Sequence, residues 1–393
     1  MNKIIPYGRH YIDNEDIEAV ENVLRHKNLT QGSEVELFEE EVASYVGAKY
    51  AVAMSSWTAG LHMANLALGL KKGDQVVTSP ITFVATSNST IYCGAEPVFS
   101  DIDHNSINLC PKKLENTLSI NSNIKAIIPV HYAGVPCDME SIFTLAKKYN
   151  LSIIEDAAHA LGSKYKDGSM VGSCKYSDMT GFSFHPVKSI AAGEGGMITT
   201  NNYSIYKTLL RLRSHGINKL DDKFINKNQS TTNGEINPWY YEMQELGFNY
   251  RITDFQCALG RSQLKKLSKF ISKRKELVAN YDNAFSYFKN LKPIQIGDRD
   301  NSSHHLYVVR IEFKKLKLSR ASIMIKLREK GIITQVHYIP VTSHPYYKKK
   351  GYNTKNYSEA LTFYDEALSI PLFYSLTKQD QKYVIKTLKD LIG

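Results

Sequence analysis

Between residues 50 and 200 the chain alternates short apolar runs with helix-length segments, and this alternation limits its fold more than any other feature. The runs are Tyr50–Met54, Gln75–Thr78, Pro97–Ser100, Lys125–Val130, Leu151–Glu155, Met179–Phe184 and Gly196–Thr200. Seven such strands read as βαβ units, which place helices on both faces of a mostly parallel sheet through right-handed crossovers. Burial on both faces also accounts for Tyr50–Leu70 and Gln75–Ala95, each free of charge over about twenty residues, close to a membrane-spanning length. Ser55, Ser56, Thr58, His62 and Asn65 in the first, and Thr78, Thr82, Thr86 and Asn88 in the second, suit the interior of an α/β enzyme better than a bilayer.

Two helical patterns precede the strands: Ile17, Val20 and Leu24, then Val35, Phe38 and Val42, with the turn Leu29–Gly32 between them. A basic helix is expected over Asp254–Phe285. A smaller unit follows it, with a strand at Leu306–Ile311, a helix at Ser319–Lys330, a strand-like Ile332–Val336 and a last helix capped by Thr377. The expected division is a large α/β domain over residues 1–250, and over 251–393 the long linking helix with a small C-terminal α/β domain. Lys219–Asn237, rich in Asn, Lys and Thr, is the expected mobile loop.

With 49 Lys+Arg against 39 Asp+Glu the net charge is +10, which favours an anionic partner without naming it. The five cysteines form no Cys-x-x-Cys pair, so neither a disulfide framework nor a zinc site is implied, and no metal is expected. Cysteines of this pattern fit a reducing cytoplasm, the expected location, and Met1–Pro6 lacks the longer apolar region of a signal peptide.

Ligands of open parallel sheets bind beyond the carboxyl ends of the strands, and four polar clusters fall there. Ser55–Leu61 joins a strand to a helix start, where hydroxyls and free N–H groups suit a phosphate; taken alone, it reads more readily as an ordinary N-cap. Ile153–His159 ends an apolar strand in Glu155 and Asp156, with His159 three residues on; Asp156 could hold a protonated nitrogen heterocycle or simply cap a helix. Gly181–Lys188 puts a lysine in a turn of Pro and small residues, where desolvation would free its amine to attack a carbonyl, unless it serves as an ion-pair partner. Glu245–Asp254 sets Asn249 and Arg251 among apolar neighbours, placed to read a carboxylate or phosphate, or to act as surface or capping residues.

Together these clusters supply what pyridoxal phosphate requires: Lys188 for the aldehyde, Asp156 for the pyridine nitrogen, Thr58 and Ser183 for the phosphate. Asp156 and Lys188 lie far enough apart in sequence to reach one pocket from different strand ends.

The ordered segments Leu29–Gly32, Thr82–Thr86, Glu155–His159, Ser183–Lys188, Gly193–Gly196, Arg213–Gly216 and Gly247–Arg251 resemble the aminotransferases that act on nucleotide-linked keto sugars. These are fold-type-I pyridoxal phosphate transferases, and the resemblance covers nearly the whole chain. It implies Lys188 as the Schiff-base lysine and Asp156 as partner of the pyridine nitrogen. It further implies His159 on the phenolic oxygen, Phe83 stacked on the ring, and Thr58, Ala59 and Ser183 on the phosphate. Asn249 would reach the phosphate of a neighbouring subunit, giving a homodimer with shared sites. Tyr7, Arg251, His337 and Tyr338 are the implied substrate contacts.

Ser183–Lys188 and Gln335–Pro340 resemble the branch of pseudaminic acid synthesis, which moves an amino group from glutamate to C4 of a UDP-linked 4-keto-6-deoxy-N-acetylhexosamine. A different keto sugar is the alternative. Related dehydratases replace the lysine that Lys188 provides. A nucleic-acid-binding protein using the basic helix lacks any supporting signature, so neither nucleic acid nor membrane is an expected partner. Two positions stand apart. Trp57 occupies a place usually held by a small residue, which leaves the shape of the phosphate turn open, and Gly60 sits in the first turn of a helix.

Overall fold

The computed structural model describes residues 3–219, 223–295, 297 and 299–392. Its centre is a seven-stranded sheet of β1 (Tyr50–Met54), β2 (Gln75–Thr78), β3 (Glu96–Phe99), β4 (Ile124–Ile128), β5 (Ser152–Asp156), β6 (Met179–Ser183) and β7 (Gly196–Thr200), in the order β1-β7-β6-β5-β4-β2-β3. Only β7 runs against its neighbours β1 and β6; the other pairings are parallel. The carboxyl ends of the other six strands therefore lie along one edge. The expected mostly parallel α/β sheet is the observed one, with strand limits shifted by a residue or two.

Continuous apolar runs form these strands because both faces are covered. In β4 and β5, Ile127 and Ile153 join the core that holds Phe38, Phe182 and Leu267, while Ile128 and Ile154 join the opposite core with Val52, Leu61 and Leu209. Each such side chain, fully buried, contributes roughly 1.5–3 kcal/mol. Helix α1 (Asn14–His26) packs on the later helix Asp254–Phe285, while α2 (Ser33–Val46), α3 (Trp57–Ala67), α4 (Ala85–Tyr92), α5 (Pro111–Ser119), α6 (Met139–Tyr149) and α7 (Tyr203–Arg213) supply the covering. The two charge-free stretches are thus a strand followed by a buried helix, and no helix among the described residues is long and apolar enough to cross a membrane.

The helix Asp254–Phe285 opens on a capping box of Thr253 and Gln256. Much of its positive charge is used within the chain. Lys266 pairs with Asp13 and Asp16, Lys273 with Glu276, and Arg274 is buried against the carbonyls of His304, His305 and Leu372. Beyond it, Leu291–Pro293, Tyr307–Ile311 and Ala367–Ile370 form a small antiparallel sheet over a core that includes Leu277, Tyr281, Ile323 and Val384. Thr377 caps the last helix by accepting the Asp380 N–H at 3.0 Å.

Two expectations are corrected, and one expected helix forms with a different face buried. Ile332–Val336 is not a strand: Ile332 bridges Ile5 and Gln335 bridges Ser369, with no ladder between. Ile17 and Leu24 lie on the exposed face of α1, which instead buries Val23 and Asp16, the latter held by Ser262 and Gln263. Within Lys219–Asn237, a short helix Lys227–Ser230 and a hairpin of Thr231–Thr232 with Glu235–Ile236 take up much of the supposed loop; residues 220–222 lie outside the described ones.

Candidate active site

The strand ends surround a cavity of about 650 Å³ lined by Tyr7, Thr58, Phe83, Asp156, His159, Ser183, Lys188, His337 and Tyr338 among others. Nine of the twelve residues singled out from sequence meet there. The three that do not are Ala59, Asn249 and Arg251. Ala59 is buried in α3, just behind the wall, and its N–H is donated to the capping Ser56 hydroxyl at 3.2 Å. The helix therefore begins at Trp57, one residue before Thr58, and Ser56 is its cap. Asn249 is exposed and bridges Ser214 in the loop beside the cavity, while Arg251 keeps a buried Nε without a partner. That loop is tied to the helix start because Ser55 N donates to Tyr250 O at 2.8 Å.

Lys188 follows the end of β6 in a tight turn closed by its own N–H on His185 O at 2.9 Å. Its side chain lines the cavity, and desolvation by the surrounding protein pushes the ammonium down to about 8, against the opposing pull of Asp156. An amine of that kind is available as a nucleophile near neutral pH.

Asp156 closes β5 and is nearly fully buried. Oδ1 accepts from Trp57 Nε1 at 2.8 Å, and Oδ2 from Thr86 Oγ1 at 2.7 Å. Thr82 Oγ1, four residues earlier and ahead of α4, lies 2.7 Å from Thr86 Oγ1. Trp57 thus has a role that sequence reasoning missed: it lines the cavity from the helix start and its Nε1 reaches the carboxylate. The glycine at 60 follows in part from the same fact, since a Cβ there would lie 2.6 Å from the indole as well as 2.5 Å from Met54 Sδ.

His159 Nε2 stands 3.0 Å from Tyr338 Oη, and its Nδ1 is buried with no partner. Its ring packs at 4.4 Å from His305, another lining residue that the sequence pattern did not reveal. Burial first holds both imidazoles well below their usual range, followed by the positive charge of Lys188 for His159 and by His159 and then Lys188 for His305, so both are neutral at pH 7. His337 is likewise pushed down to about 3 by burial and Lys188, and its Nδ1 lies 2.8 Å from Ser369 Oγ. Tyr7 approaches from the N-terminal stretch, its ring 5.4 Å from that of His337. Phe83 is 58 % exposed in a chain whose other large apolar groups mostly pack away, and it faces the cavity, where a planar ring could stack on it.

The residues present suit pyridoxal phosphate. A desolvated amine and a fixed carboxylate share one cavity, with an unpartnered imidazole nitrogen, an open aromatic face and a helix start beside them. Comparison with known proteins decides the class: residues 10–389 match the DegT/DnrJ/EryC1/StrS aminotransferase family. The chain belongs to this family.

It is accordingly a pyridoxal phosphate-dependent transaminase of the sugar aminotransferase family. It is 39% identical over 393 residues to the spore coat polysaccharide biosynthesis protein SpsC of Bacillus subtilis, covering 100% of this chain and 98% of that protein. It is also 39% identical over 390 residues to the UDP-4-amino-4,6-dideoxy-N-acetyl-beta-L-altrosamine transaminase of Campylobacter jejuni, covering 99% and 98%. Among solved structures, Helicobacter pylori PseC, an aminotransferase of pseudaminic acid biosynthesis, superposes with a TM-score of 0.89 at 32% identity over 99% of both chains.

Proposed function

We propose that this transaminase moves an amino group from glutamate to C4 of a UDP-linked 4-keto-6-deoxy-N-acetylhexosamine, as in pseudaminic acid synthesis. The observation that carries the reading is the single cavity that joins Lys188 and Asp156 to His337, Tyr338, Gln335 and His344, leaving room for a sugar beside a cofactor. The names of the Campylobacter and Helicobacter relatives support the same substrate class.

In this reading Lys188 holds the cofactor through its amine and Asp156 faces the pyridine nitrogen. Thr58, Ala59 and Ser183 hold the phosphate, Phe83 covers the ring, and His159 faces the phenolic oxygen. When bound, the cofactor supplies an electron sink for the carbon that loses its proton. Lys188 Nζ, once released, takes the proton from the α-carbon of glutamate and later returns one to C4 of the sugar. Tyr7, His337 and Tyr338 orient the sugar, and Arg251, with its unpartnered Nε, meets the anionic end of the nucleotide. Asn249, exposed beside the site, reaches the phosphate in a second copy, so the working unit is a homodimer in the cytoplasm, where glutamate and UDP-sugars are at hand.

The test is the visible absorbance of the cofactor-loaded protein, recorded before glutamate, after it, and after UDP-4-keto sugars of either C5 configuration. Glutamate should bleach the band and one sugar should restore it. Restoration only by a different nucleotide-linked keto sugar would leave a transaminase and overturn the assigned substrate.

A further inference from the structure

Trp57 packs in a slot cut for it. A Cβ on Gly181 would fall 1.7 Å from its Cη2, one on Gly60 2.6 Å from its Cε3, and one on Gly196 2.6 Å from its backbone N. The glycines of α3 and β6 thus leave room for the indole, and that of β7 for the backbone that carries it; Trp57 is 6% exposed. Simple filling of space would not require the ring to end on a charged group, yet its Nε1–H donates to Asp156 Oδ1 at 2.8 Å. Thr86 pins Oδ2 from the other side at 2.7 Å, and the Ala158 N–H reaches Oδ1 only at 3.3 Å. Without the indole, one carboxylate oxygen would keep only that long contact. An indole N–H is a donor that neither accepts nor titrates near neutral pH, so it fixes the carboxyl plane without exchanging a proton with it.

We propose that Trp57 is a positioning residue that acts through Asp156, locking the carboxylate in the orientation in which it meets the cofactor's ring nitrogen. This rests on the assignment of Asp156 to that nitrogen. The role belongs to a residue at the start of the phosphate-side helix, so the same turn that offers N–H groups to the phosphate also sets the opposite end of the ring. One short segment would then fix both ends of a planar ligand.

The experiment compares Trp57→Phe in the wild-type and Asp156→Asn backgrounds, measuring the dissociation constant for pyridoxal phosphate. Loss of a hydrogen bond to a charged group should weaken binding roughly ten-fold with Asp156 present. In the Asp156→Asn background the same change should cost less than about two-fold, because the partner is already altered. Equal losses in both backgrounds, or none in either, would overturn the proposal and reduce Trp57 to packing.

Should Trp57→Phe fail to fold, the intact protein still decides. The chain has two tryptophans, and Trp239 is 74% exposed, so two indole N–H signals are expected in a ¹⁵N spectrum. One should resist exchange with solvent and shift on Asp156→Asn; two freely exchanging signals, or no shift, would refute the contact. The spectrum needs no cofactor. If the wild-type protein gains no visible band with pyridoxal phosphate, the cofactor reading itself fails, whatever the indole signals show.

Discussion

Glu155 and Asp156 are adjacent and buried at the end of β5, and they face opposite sides of the sheet. The alternation of side chains along a strand sends Asp156 to the cavity and Glu155 into a closed network. Glu155 accepts from His131 Nε2 at 2.8 Å, Tyr165 Oη at 2.6 Å, Ser177 Oγ at 2.5 Å and Thr180 Oγ1 at 2.9 Å. His131 Nδ1 accepts the Cys137 N–H at 3.0 Å, which leaves Nε2 as the nitrogen that donates to Glu155. Although burial alone would raise the Glu155 carboxyl, these donors hold it low. One acid anchors the strand that carries the other.

The two acids should therefore separate on substitution. Glu155→Gln leaves two of the four donors, the pair that shares one carboxylate oxygen, facing an amide NH₂, and should cost about 1–3 kcal/mol or more in urea denaturation, with cofactor affinity little changed. Asp156→Asn should keep stability within about 1 kcal/mol, since its oxygen still accepts one bond. Its turnover should fall by roughly 100-fold or more. Near-wild-type turnover of Asp156→Asn would remove Asp156 from the chemistry.

Lys188 gives a pH dependence. Its amine becomes the free base as pH rises through about 8 rather than through the usual 10.5. Covalent capture of pyridoxal phosphate by the apo protein should therefore accelerate up to about pH 8 and then level off, followed as growth of visible absorbance. Acceleration continuing to pH 10 would mean that Lys188 is not desolvated. Lys188→Ala should show no such band at any pH.

Much of this site was open to reading in the sequence because its parts sit at strand ends, and buried parallel strands announce themselves as apolar runs. Asp156, His159, Ser183 and Lys188 all fall within a few residues of such an end. Contacts that depend on which side chains meet across the sheet were not open in the same way. Trp57 and Thr86 reach Asp156 over 99 and 70 residues, and no spacing rule encodes that. The oddities at Trp57 and Gly60 looked separate in the sequence and are one packing arrangement in the structure. Ile17 and Leu24 show the complementary limit: their period gives a helix but not the face that is covered, and it was Asp16 that found buried partners.

Acid should weaken the fold through buried neutral histidines. His337 is held near 3 and His304 near 4, both chiefly by burial, against 6.5 in the unfolded chain. The unfolded state binds more protons below 6.5, so stability present at pH 7 and above is lost as pH falls from 6.5 toward 4 and 3. At pH 5 the loss is about 2 kcal/mol for each of the two residues. Urea midpoints at pH 7.5 and 5.0 measure it. His337→Gln, which cannot take up the proton, should reduce the difference by about 2 kcal/mol; an unchanged difference would mean that His337 is already protonated in the folded protein.

The fit of Trp57 against β6 predicts a compensating pair. Gly181→Ala puts a methyl where Cη2 of the indole lies, and neither the strand backbone nor a ring seated against Gly60 and bonded to Asp156 can move far. Overpacking of this kind costs typically 1–3 kcal/mol, and the 1.7 Å approach puts Gly181→Ala at about the upper end or beyond. Trp57→Ala alone opens a cavity and should cost about 3–5 kcal/mol. In the double variant the new methyl occupies part of the vacated space and no longer collides, so the combined loss should fall short of the sum by more than about 1 kcal/mol. Thermal or urea unfolding of the three variants measures that coupling. Strict additivity would mean that the indole is not seated over Gly181, and with it would go the geometry that brings Nε1 to Asp156.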